Sequence, residues 1–356
     1  MEKWKDILRK SISSPEELTE YLDVDIEEIR EVIDVYPMRI TPYMLDLIKE
    51  KDDPIARQVI PSRDEIFNQF GSDDPLNENT DSPVVNLVHR YPDRALLIVT
   101  NQCPAYCRFC TRKRLVGRPD FVTNGTIYRG IEYIREHKEI RDVILSGGDP
   151  LLLTDELLER ILRSLRDIPH VEIIRIGTRI PCTLPQRITS GLCKVLKRYH
   201  PVYINLHFNH PDEITPESRQ ATEMLADTGI PLGCQTVLLK GINDDPDTMK
   251  RLMHRLLEIR VRPYYLYQAD IVNGTDHFRT TVECGLDVIR SLHGFTSGLA
   301  IPNYVIDTPG GGGKITILPN DFVLHFDNKE IILKNYENNT YKYPQITEPM
   351  VKISSS

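Results

Sequence analysis

No stretch of the 356-residue chain approaches the roughly 18 uncharged apolar residues that a membrane span needs, so a transmembrane reading has no support. The opening MEKWKDILRKSISSPEEL also lacks an apolar run of signal-peptide length, which makes a cytoplasmic location the expectation. An excess of basic charge is missing too: 44 Lys and Arg stand against 52 Asp and Glu, a net charge of -8. Such a chain has no general attraction for nucleic acid or an anionic membrane, and neither is expected as a partner. Internal repeats and low-complexity tracts are absent, and 40% apolar with 27% charged residues is ordinary globular usage. A disulfide framework fits badly, because the seven cysteines are odd in number and unevenly placed. Cys103, Cys107 and Cys110 crowd together while Cys182, Cys193, Cys234 and Cys284 stand alone, which is a metal-site distribution.

What is present divides into a peripheral helical part and a strand-helix alternation. Ser14-Pro15-Glu16-Glu17 has a cap residue, a proline at the first helical position and acidic residues behind it, followed by periodic Leu18, Tyr21 and Leu22. A second helix is predicted from about Pro42 to Glu50, and the turn-rich stretch from Gly71 to Pro83 reads as a linker. From there short apolar runs alternate with amphipathic stretches: Ala95 to Val99, Asp142 to Leu145, Val171 to Ile176, Val202 to Phe208, Pro231 to Leu239, Arg262 to Tyr267 and Tyr304 to Ile306. That alternation predicts an α/β fold with a parallel sheet, a full or partial β/α barrel whose chemistry sits at the strand C-termini. The expected division is a helical domain and linker over 1–88, a barrel over 89–310 and a C-terminal segment over 311–356.

Three residue groups fall at predicted strand ends. Asn101 to Cys110, NQCPAYCRFC, places three thiolates within eight residues, enough to wrap one face of a soft metal centre. Structural zinc is the alternative, but a closed zinc site needs four protein ligands and usually two short clusters. Three cysteines on a 4Fe-4S cluster instead leave one iron open for a small molecule. The second group is Ser146-Gly147-Gly148-Asp149-Pro150, which taken alone is a common turn. In the third, Asp307-Thr308-Pro309-Gly310-Gly311-Gly312-Gly313-Lys314, four glycines let the backbone approach an anion. A nucleotide P-loop is excluded, since Thr308 replaces its first glycine and Ile315 follows the lysine. A pyridoxal phosphate Schiff base would use such a lysine; a flexible surface loop is the alternative.

The Cys-x3-Cys-x2-Cys loop resembles that of the radical S-adenosylmethionine superfamily, and together with the PGGGGK run the chain resembles the lysine 2,3-aminomutase family over roughly residues 80 to 340. Family-like stretches include His89 to Arg94, Cys110 to Arg114, Leu184 to Arg187, His207 to Pro211 and His277 to Thr280. The resemblance implies a partial (β/α)6 barrel of TIM type. It also implies a 4Fe-4S cluster on Cys103, Cys107 and Cys110, with S-adenosylmethionine chelating the open iron beside Gly147, Gly148 and Asp149. His207 and Gln235 match positions near that ligand, with a hydrogen-bonded barrel interior as the alternative. Lys314 would hold pyridoxal 5'-phosphate, and Arg90, Tyr91 and Arg94 its phosphate. Arg112 matches the partner of the substrate carboxylate.

Two acids bear on the substrate. Asp270 and Asp307 end predicted strands, and two carboxylates converging in one pocket call for a proton or a cation between them. In lysine-acting members both positions are aspartate, while glutamate-acting relatives carry lysine and asparagine. Ordinary pairing with Arg262 or Arg279 is the alternative. The implied activity is interconversion of L-lysine and β-lysine by a radical shift of the α-amino group to C3, an isomerase reaction fed by an electron donor such as flavodoxin or ferredoxin. An aminomutase for ornithine or arginine, or a non-catalytic iron-sulfur protein on this scaffold, would be the rivals. Longer relatives hold zinc with a loop cysteine and a cysteine-rich extension. Asp245 stands at the loop position and no cysteine follows Tyr343 here, so no zinc is expected. A homo-oligomer is expected from family habit.

Overall fold

The computed structural model of the chain describes residues 3–67, 70–118, 122–327 and 330–345. Its main sheet has nine strands in sequence order: β1 (Leu87–Tyr91), β2 (Arg94–Thr100), β3 (Asp142–Gly147), β4 (Ile173–Thr178), β5 (Val202–Leu206), β6 (Leu232–Leu238), β7 (Arg262–Gln268), β8 (Asn303–Thr308) and β9 (Gly313–Thr316). From β2 to β8 neighbouring strands run parallel. β1 and β9 cap the two edges antiparallel to β2 and β8. Across the seam between those edges Lys314 N donates to the Tyr91 hydroxyl at 2.9 Å. The result is a nearly closed barrel, as the strand-helix alternation predicts.

Helical crossovers cover the outside. Numbered in chain order after five N-terminal helices, they are α6 (Asn124–Glu136), α7 (Asp155–Arg166), α8 (Ile180–Thr183), α9 (Ser190–Lys197), α10 (Pro216–Asp227), α11 (Pro246–Glu258) and α12 (Val282–Leu292). α7 shows why they form. Thr154 caps it by accepting from Leu157 N, acids occupy its first turn and arginines its last. Leu158, Ile161, Leu162 and Leu165 recur at helical spacing and are fully buried against the sheet. Each such side chain contributes roughly 1.5–3 kcal/mol by leaving water, so Leu162→Ala would cost about 2–5 kcal/mol.

Strand parity then creates the interior. In β6 Leu232, Cys234, Thr236 and Leu238 are buried beneath the helices, while Gly233, Gln235 and Val237 alternate with them and are half-buried. Gln235 and Val237, with Gly177 of β4 and Asn205 of β5, line the central cavity. Small and polar inward residues leave open a space that branched apolar ones would fill.

The N-terminal helices are α1 (Lys3–Arg9), α2 (Pro15–Thr19), α3 (Ile26–Ile33), α4 (Pro42–Leu45) and α5 (Ala56–Val59). The Ser14–Glu17 capping box opens α2. α4 is shorter than the predicted helix from Pro42 to Glu50, because the Asp53 carboxylate accepts from Lys49 N at 2.7 Å and Glu50 N at 3.3 Å and turns that backbone aside. Beyond β9 lies a small antiparallel sheet of β10 (Val323–Phe326), β11 (Glu330–Lys334) and β12 (Thr340–Pro344). Among the described residues no helix is long and apolar enough to cross a membrane.

Candidate active site

The carboxyl ends of the parallel strands open into a cavity of about 840 Å³. The loop after β2 sets Cys103, Cys107 and Cys110 on its wall as free thiols. The N-terminal layer braces that loop from behind. Arg39 O accepts from Tyr106 N and Gln58 O from Arg108 N, each at 2.9 Å, and Ala105 packs into the N-terminal core. Buried Glu65 receives Arg108 Nη2 at 2.7 Å and Lys113 Nζ at 2.6 Å. Burial pushes the Cys103 thiol well above its usual range and that of Cys110 up to about 11, with neighbouring thiolates raising both. Three thiolates here therefore require a cationic centre. Among the described residues no three His, Cys, Asp or Glu side chains converge on one ion. A cluster takes its thiolates on separate irons, so this donor set fits an iron-sulfur cluster better than a single ion.

The cysteine loop meets the end of β3 at very close range. A Cβ on Gly147, whose φ is 122°, would lie 2.1 Å from Thr100 O, and one on Gly148 would lie 2.3 Å from Gln102 O. Gly148 N donates to Thr100 O at 2.6 Å and Asp149 N to Gln102 O at 2.8 Å. The buried Asp149 carboxylate accepts from Thr178 Oγ1 and Arg179 N, both at 2.7 Å, and from Leu151 N at 3.1 Å. Burial still raises it to about 6. Asp149 thus joins the ends of β3 and β4 as well as facing the cavity. Nearby, His207 Nε2 contacts Asn209 Oδ1 at 3.0 Å and its ring lies 5.5 Å from that of Phe109. Burial, reinforced by the Arg179 charge, lowers its pKa to about 3, so the imidazole is neutral. Gln235 lines the same space from β6.

The other end of the cavity holds charged groups. Lys314 Nζ lies 2.5 Å from Asp307 Oδ2 and 5.7 Å from the Tyr267 ring centroid. Asp307 Oδ1 is buried without a hydrogen-bond partner, 3.7 Å from Arg90 Nη1. Asp270 Oδ2 accepts from the Thr111 hydroxyl at 2.9 Å. Burial, with help from Asp307, pushes the Asp270 carboxyl up to about 6. Neither acid pairs with Arg262 or Arg279 among the described residues. Arg94 stacks its guanidinium 3.8 Å from the Tyr91 ring centroid and bonds Asp93 at 2.9 Å. Arg90, Tyr91, Arg94 and the Lys314 amine supply the cationic and hydroxyl donors that a phosphorylated aldehyde needs, and the orphaned Asp307 oxygen leaves an acceptor for a cation.

Arg112 is shared. Its Nη2 and Nε meet Glu78 at 2.5 and 3.1 Å, while Nη1 donates to Ser146 Oγ at 3.2 Å. Glu78 comes from the stretch that reads as a linker, and although burial would raise its pKa, Arg112 and Arg114 hold it near about 2. That stretch straps the mouth. Pro75 O accepts from Gly310 N at 2.8 Å, Leu76 O from the Arg90 guanidinium, and Asp81 Oδ2 from Arg90 Nε at 2.7 Å. Sequence reasoning missed Glu78, Thr111 and Arg179. Glu78 was legible only as an acid among turn residues, and nothing local marks Arg179 at the end of β4.

The chain is similar in sequence to proteins of known family. A radical S-adenosylmethionine superfamily model matches residues 97–253, and a lysine-2,3-aminomutase model matches residues 289–354. The chain is 50% identical to the L-lysine 2,3-aminomutase of Fusobacterium nucleatum, over 97% of this chain and 84% of that one. It is 49% identical to the L-lysine 2,3-aminomutase of Clostridium subterminale, over 96% and 84%. Identity to the glutamate 2,3-aminomutase of Clostridioides difficile is 46%, over 92% and 78%.

Proposed function

The chain belongs to the lysine 2,3-aminomutase family of the radical S-adenosylmethionine superfamily, and from that premise we propose that it interconverts L-lysine and β-lysine, an isomerase reaction moving the α-amino group to C3. Overall identity does not separate lysine from glutamate as substrate, since relatives named for each lie within a few per cent of one another. The acids do. The observation that carries the reading is the alkylammonium of Lys314 resting 2.5 Å from Asp307, in the cavity that also receives Asp270. The same chemical group terminates a lysine side chain, whereas a glutamate carboxylate would add a third negative charge.

In this reading Cys103, Cys107 and Cys110 would ligate the 4Fe-4S cluster, and Gly147, Gly148, Asp149, His207 and Gln235 would hold S-adenosylmethionine. The cluster, when bound, would supply one-electron reduction to S-adenosylmethionine. Pyridoxal 5'-phosphate, held at Lys314, would supply an electron-delocalising π-system. Arg90, Tyr91 and Arg94 would anchor its phosphate, and Asp307, which accepts the Lys314 ammonium here, would accept the substrate's side-chain ammonium. Arg112 offers Nη1, the edge that Glu78 does not fill, to the substrate carboxylate. With both substrate ends fixed, C3 is held toward the radical source. His207 stays neutral and so adds no charge beside the cluster. A flavodoxin- or ferredoxin-like protein supplies the electron, and the chain acts as a homo-oligomer.

The test is anaerobic incubation of the cluster-reconstituted protein with L-lysine, S-adenosylmethionine, pyridoxal phosphate and a strong reductant, followed by amino acid chromatography. β-Lysine is the expected product. Cleavage of S-adenosylmethionine with lysine unchanged would overturn the substrate assignment.

A further inference from the structure

The cysteine loop receives at Cys107 Sγ a charged donor that the proposed chemistry leaves unused. Arg179 follows β4, and its side chain is 8% exposed. Its Nη1 lies 2.7 Å from Cys107 Sγ, while Nη2 bonds Gln58 Oε1 at 2.6 Å and Glu213 Oε1 at 2.7 Å. The guanidinium is held at both Nη atoms, while its buried Nε has no hydrogen-bond partner among the described residues. Its own backbone N donates to Asp149, Gln58 Nε2 donates to the same Glu213 oxygen at 2.8 Å, and the Phe109 ring centroid lies 5.1 Å away. Glu213 is in turn held by Asn209 N at 2.6 Å and His210 N at 3.2 Å. Among the described residues no side chain donates to Cys103 or Cys110 Sγ, although the Arg112 backbone N–H bonds Cys110, so Arg179 is the charged side-chain donor to these sulfurs.

We propose that Arg179 is a positioning residue that sets the reduction potential of the cluster through its N–H contact with Cys107 Sγ. The inference rests on the reading of the three cysteines as cluster ligands. Reduction adds one electron, and part of the added negative charge resides on the sulfurs. A donor with a permanent positive charge in a largely buried position stabilises that reduced form more than the oxidised one, and thereby raises the potential. Glu213 neutralises part of the guanidinium charge from the far side, which leaves the directed N–H contact as the larger lever. The network also explains why an arginine is used: its planar fork reaches Cys107, Gln58 and Glu213 together, which a lysine ammonium on a flexible stem does not do.

The experiment is a redox titration of the reconstituted wild type, Arg179→Lys and Arg179→Gln, read from the magnetic resonance signal of the reduced cluster, with iron per chain measured in parallel. Loss of a charge-assisted hydrogen bond should change the one-electron equilibrium constant about tenfold or more, a midpoint lower by about 59 mV or more. Arg179→Lys keeps a positive charge opposite Glu213 and should fall between wild type and Arg179→Gln. Unchanged midpoints with iron retained would overturn the proposal. Loss of iron from both variants would also overturn it, because Arg179 would then serve the scaffold. A wild type that holds no cluster would instead overturn the reading of the cysteines.

Discussion

The proton on Asp270 makes lysine binding depend on pH in a direction that can be worked out. Without a ligand cation, burial and the nearby Asp307 raise its carboxyl from 3.8 to about 6, against the Thr111 hydroxyl bond. Two units correspond to about 3 kcal/mol held against the charged form. A substrate ammonium about 4 Å away would return about that much at an effective dielectric near 20. Bound Asp270 therefore has a lower pKa than free Asp270. Above pH 6 the carboxylate is charged in both states and affinity is flat. Below that value binding must expel a proton, and the dissociation constant should rise by about tenfold per pH unit until the bound pKa is reached. Equilibrium binding of L-lysine to the reconstituted enzyme, between about pH 5 and about pH 8, reads this directly. Asp270→Asn should weaken binding about 30-fold or more at the upper end and flatten this part of the profile. The reasoning fails if the variant keeps the wild-type profile, or if wild-type affinity improves on acidification.

Three further outcomes follow from other contacts. Gly148→Ala would drive a Cβ to 2.3 Å from the backbone oxygen of Gln102, next to Cys103, so iron content after reconstitution should fall while secondary structure persists; full iron content would contradict the close approach. Glu65→Gln leaves Arg108 and Lys113 buried without their anion, and should lower stability to denaturant by about 3–5 kcal/mol. Because Arg108 and Lys113 depress the Glu65 pKa despite burial, its contribution is present above 4.5 and lost as pH falls further, and an unchanged denaturation midpoint in the variant would sink this account. Asp307→Asn should cut lysine turnover by about 30-fold or more with iron content preserved, and equal losses of both would mark the residue as structural.

Much of this architecture is legible in the sequence because its causes are local. Periodic apolar runs identify β2 to β8, and the cap at Ser14 marks α2. The two edge strands are harder to see. β9 starts within a glycine run that disfavours strand, and forms because Asp307 and Thr308 pair with Lys314 and Gly313. α4 stops early through Asp53, several residues beyond it. Motifs likewise point to the cysteines and Lys314. Glu78 meets Arg112 across 34 positions and Arg179 meets Cys107 across 72, and no window of periodicity spans such distances. In the proposed reading, substrate carboxylate and cluster would each be attended by a residue brought there only on folding.

The strap over the barrel mouth has a consequence for local opening. Its carbonyls and carboxylates hold Arg90, Arg112 and the Gly310 amide, so peeling it away would undo the arrangement that small molecules need. Occupancy and attachment must then reinforce one another. If the opened form does not bind, a ligand at a hundred times its dissociation constant makes opening about 2.7 kcal/mol harder. Asn79 and Thr80, exposed on the strap, would be cut by a protease about a hundredfold more slowly when the mouth is filled, provided that cleavage proceeds through the opened form. A stretch of turn residues between two folded layers would thereby report, by its own survival, whether the barrel beneath it is loaded.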